Sequence, residues 1–230
     1  MKEMTKSGTL TAGVLVALAI GLLGGYGIGN SGKDDSKSDQ SPTASVSEGE
    51  PDTNTKAATL RVNLNNALSE HIELASPALR AVFDGSESGA GVTAALDENS
   101  VAISEAIDSV YPGSNDAFLE LWRNHIGFFV DYTKAAKAGD TAAMDKARAD
   151  LDGYSDQAST FFSEANPNLP KEAVKDGLKE HLSQVIQIVD AYGAKDYAKS
   201  YSLQRMADMH MQMFGDTLSA AIVKQFPEKF

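Results

Sequence analysis

Four histidines, His71, His125, His181 and His210, are the residues of this chain best suited to chemistry. All four fall on apolar stripes of helical period, where a solvent-facing imidazole is not expected. A buried imidazole needs partners for its ring nitrogens, because an unpaired polar group inside a protein costs about 1–3 kcal/mol. Asn99, Tyr132, Tyr154 and Tyr201, predicted to face inward, can supply them; so can a metal ion or a haem iron. The helix around His210 reads RMADMHMQM from Arg205 to Met213 and adds sulfur. Met206, His210 and Met213 stand at i, i+4 and i+7, on one helix face. Thioether and imidazole together suit copper, Cu(I) above all. The predicted metal ligands are therefore His210, Met206 and Met213, followed by His181, His125 and His71. The competing explanation is core packing, with methionine as a pliable filler. Shared ancestry alone also accounts for histidines at matched positions of a repeat.

The spacing excludes the familiar helical metal motifs. A di-iron helix carries Glu three residues before its histidine, where this chain has Leu68, Trp122, Leu178 and Ala207. A zinc-protease helix carries two histidines four apart, and here only the dipeptide Glu-His occurs, at 70–71 and 180–181. Any site must draw one ligand from each of several helices. Two imidazoles within about 5 Å of each other would mark such a shared site; rings that each meet a Tyr, an Asn or a carbonyl would mark plain core residues. Zero cysteines exclude thiolate metal sites and cysteine nucleophiles. No nucleophile elbow, phosphate loop or dinucleotide fingerprint is present, so no catalytic residue is assigned. The segment from Asp84 resembles a calcium loop at its first six positions, but Ala95 stands where the bidentate Glu is required.

The elements that must carry these residues are helices. Apolar residues recur at three and four from Leu60 onward, with no strand period. Turn-rich stretches at 84–91, 111–116, 138–140 and 166–170 divide the chain, and a sixth helix is predicted from about Asp196 to Lys224. The helices pair into repeats. His125 to Asp140 and His181 to Asp196 are both fifteen residues, each Asp standing at an expected N-cap. ISEAIDSVYP at 103–112 aligns with LSAAIVKQFP at 218–227 without a gap. Three related hairpins of about 55 residues predict an all-α, six-helix bundle over residues 57–230.

What precedes the bundle bears on location. Thr9 to Gly29 holds no charge and is long enough to cross a hydrocarbon layer about 30 Å thick. Lys2 and Lys6 lie before it, which predicts an N-terminal transmembrane anchor over 1–30 with the remainder outside the cytoplasm. A cleaved signal peptide is the alternative. Residues 31–56 are rich in Ser, Asp, Gly and Pro and predict a flexible acidic tether. The chain's net charge is −12, which argues against nucleic acid as a partner.

EH at 70–71, WRNHIGFFVDYT at 122–133, ANPNLP at 165–170, EH at 180–181, HM at 210–211, AI at 221–222 and QFP at 225–227 follow one another in this order. This succession resembles a group of exported bacterial helical domains without an assigned activity. The resemblance covers residues 60–230 and implies export and an all-helical fold. Some members carry a copper-amine-oxidase-like label. This chain lacks the His-x-His pair and the Asn-Tyr context of such an oxidase, so the resemblance lends no catalytic residue. The expected function is a membrane-tethered, extracytoplasmic interaction or structural module, with a surface protein as partner. The alternative is a copper- or haem-binding module built on the inward histidines and methionines.

Overall fold

The computed structural model describes residues 53–230. The predicted anchor and residues 31–52 of the predicted tether lie outside the described residues. Within them the chain forms six helices: α1 (Lys56–Asp84), α2 (Gly89–Val110), α3 (Asn115–Ala138), α4 (Thr141–Ala165), α5 (Lys171–Gly193) and α6 (Tyr197–Gln225). No strand occurs among the described residues, and none of their helices is long and apolar enough to cross a membrane.

The helix ends follow local chemistry. Thr55 caps α1, its hydroxyl accepting from the Ala58 amide at 3.1 Å. Asp140 and Asp196 cap α4 and α6, each carboxylate accepting an amide of the first turn at 3.0 Å. Gly139 ends α3 in the left-handed region, at φ 68°. Fourteen residues after its repeat's histidine, as Gly139 is, stands Lys195, the one non-glycine residue with positive φ among those described, at 62°.

The helices close into a ring. α2 packs between α1 and α3, α4 between α3 and α5, and α6 between α5 and α1. The first helices of the three hairpins, α1, α3 and α5, also touch one another inside that ring. The arrangement is cyclic, each hairpin repeating the role of the last. One apolar cluster takes buried side chains from all six helices, from Leu64 to Ile222. A small second cluster joins Ala75 and Ala78 of α1 to Leu96 of α2.

Some predicted orientations differ. Tyr201, expected inward, is 57% exposed and its ring lies under Arg80. On α6 the buried methionine is Met211. The stripe that reaches the core runs through Leu203, Ala207, Met211 and Leu218.

Candidate metal centre

The cyclic packing sends one residue from each inner helix toward the middle. These are His71 from α1, His125 from α3 and His181 from α5, none more than 3% exposed. Their ring centroids are 5.4, 6.2 and 6.5 Å apart. One nitrogen from each ring lies within 4.8 Å of the corresponding nitrogens of the other two. A metal held at about 2.0–2.1 Å by three imidazoles places its donors about 3.4 Å apart. Side-chain rotation that draws the rings in by about 1 Å meets that geometry.

The expected hydrogen-bond partners do not serve these rings. Asn99 gives its amide to the Ala67 carbonyl at 3.0 Å and to Glu70 at 2.9 Å. Tyr132 donates to Asp190 at 2.7 Å. Tyr154 stacks its face on His125, centroids 4.6 Å apart. The Nδ1 atoms of His71 and His181 are buried without a hydrogen-bond partner; that of His125 makes no bond of good geometry either, although the Trp122 backbone lies near enough to act on the ring. Buried ring nitrogens without partners are a cost for a packed core. A metal ion would take up one nitrogen of each ring, since one from each lies within 4.8 Å of the others.

Burial sets the charge of the site. It pushes His71 down to about 4 and His181 down to about 3. His125 is held well below the ordinary imidazole value, first by burial and then by its two neighbours, with the backbone of Trp122 opposing. All three are neutral at pH 7, the state a metal ligand requires. No carboxylate joins the group among the described residues. Aromatic rings enclose it: Trp122 lies 4.9 Å from His71 and 4.8 Å from His125, and Phe129 stands 6.4 Å from His181. Burial also raises the Tyr154 hydroxyl, keeping it neutral.

His210 plays another part. Its Nε2 is 2.8 Å from the Gly177 carbonyl, four residues before His181. Asn99 holds the carbonyl four residues before His71. The two side chains thus do matching work, each tying a second helix to the turn that carries an inner histidine. His210 is half-buried, and Met206 and Met213 are 47% and 66% exposed. The structure brings together His71, His125 and His181, and leaves Met206 and Met213 on the surface of α6. The enclosing Trp122 and Tyr154 sit on predicted apolar stripes, but nothing in their spacing distinguishes a ring that walls a site from one that fills a core.

A cavity of about 30 Å³ adjoins the trio, with His71 and His181 at its inner end and Thr93 at its rim. Pockets for cofactor-sized ligands are about 300–1,000 Å³, so this one does not accommodate a porphyrin. Comparison with protein-family models, curated proteins and solved structures returns no match to this chain.

Proposed function

We propose that this protein is a metal-binding helical module in which His71, His125 and His181 hold one ion, with copper as Cu(I) preferred. The observation that carries the reading is the trio itself: three buried, neutral imidazoles from three repeats, with one nitrogen of each within 4.8 Å of the others. Charge favours a monovalent ion. The ligand set brings no anion, and the Born cost of a buried ion grows with the square of its charge, about fourfold from one to two. Imidazole suits copper, and Cu(I) accepts three ligands. The acidic N-terminal tether and apolar anchor expected from the sequence would hold the module outside the cytoplasm.

The test is anaerobic titration of the purified protein with Cu(I), and separately with Zn(II) and Cu(II). One tightly bound Cu(I) per chain, lost in His125→Ala while the helical circular dichroism persists, is the expected result. Failure of all three ions to bind, with the protein folded, would overturn the reading.

A second reading has its own observation. Met206, Met209 and Met213 are all exposed and lie on one face of α6. An interaction module would use that face, as methionine-rich surfaces adapt to varied partners. Replacing all three with Gln separates the readings: ion binding persists if the trio is the site, whereas partner capture alone is lost if α6 is a docking face.

A further inference from the structure

The three repeats differ at one place that matters for the trio. Four and seven residues after the histidine, α3 has Phe129 and Tyr132, and α5 has Val185 and Ile188. In α1 the same positions are Ala75 and Ala78. Both alanines are buried, at 9% and 5% exposure, and both line the cavity that begins at His71 and His181. Small side chains in one repeat thus leave the space that large ones fill in the others. The cavity extends along α1 to Thr93, which is exposed. It therefore joins the centre of the ring to its surface.

The walls decide what fits. Apart from the two histidines, Thr93 is the one polar side chain lining the cavity; Leu79, Leu96, Ile126 and Phe129 are among the rest. A volume of about 30 Å³ holds one or two small molecules, but a water needs two to four polar partners. The inner end offers only ring nitrogens, which a metal would occupy.

We infer that this slot gives the metal an open coordination position that takes a neutral diatomic molecule, of which carbon monoxide is the probe. The inference rests on the metal reading above. Ala75 and Ala78 set the size of the position, and Leu96 and Phe129 keep it dry.

The experiment uses the full chain loaded with Cu(I) under nitrogen, its copper content measured first. Exposure to carbon monoxide should give one infrared band of metal-bound CO. Tert-butyl isocyanide, too large for the slot, should give no bound band. Ala78→Val and Ala78→Leu should retain one Cu(I) per chain and lose the CO band progressively. The wild-type comparison of the two probes needs no variant, so a misfolded Ala78→Leu would not spoil the test. Copper bound without a CO band, or with both probes binding equally, would overturn the slot and leave the metal reading standing. Absence of copper would overturn both.

Discussion

His71, His125 and His181 make the unloaded protein acid-sensitive, and the sign follows from burial. Each imidazole is depressed in the fold, to about 4 for His71 and about 3 for His181, while the unfolded chain titrates near 6.5. Below pH 6.5 the unfolded state therefore binds more protons, and stability falls with pH. The slope is about 1.4 kcal/mol per pH unit for each imidazole. By pH 5 His71 and His181 each remove on the order of 2 kcal/mol, and His125 acts in the same direction. Urea titrations from pH 7 to 5 should show this loss in metal-free protein, and His181→Leu should flatten it. At the same scale, Met206→Leu with Met213→Leu should leave Cu(I) stoichiometry unchanged, because both side chains are largely exposed. His210→Ala should weaken the fold by about 1 kcal/mol, the worth of one hydrogen bond, and leave ion binding intact.

At the scale of the helix, two backbone features carry predictions. Lys195 holds the left-handed conformation that Gly139 adopts in the preceding hairpin. Lys195→Gly should raise thermal stability, by up to about 1 kcal/mol, since a side chain in that region is strained. Gly215 lies where α6 meets α1, and a Cβ there would stand 2.3 Å from Asn65 Oδ1 and 3.3 Å from its Cα. Gly215→Ala should cost about 1–3 kcal/mol by overpacking, read as a lower urea midpoint. The six helices were legible in the sequence because turn and cap residues carry their own chemistry. The stops expected at 138–140 and 166–170 match the ends of α3 and α4. The site was half legible. A shared position in a repeat singled out His71, His125 and His181, but placing them together depends on the ring closing, which no local pattern encodes. Met206 and Met213 lie on the surface of α6 because the stripe that reaches the core is narrow and passes through Ala207 and Met211. A helix with small residues on its buried face leaves its large ones outside.

At the scale of the whole molecule, each hairpin supplies one histidine of the trio, so an ion bound by all three would be held only when all three hairpins are assembled. Its binding energy would then be folding energy, and saturating Cu(I) should raise the melting temperature of the wild type but not of His125→Ala. The ring has one more consequence. Because α6 packs on α1, the domain's two ends meet: the Lys56 ammonium donates to the Lys229 carbonyl at 3.2 Å. The order in which the hairpins are strung is therefore not what the architecture depends on. A circular permutant, with residue 230 joined to 56 through a short glycine linker and new termini opened at the 139–140 turn, should fold to the same bundle and bind the same ion.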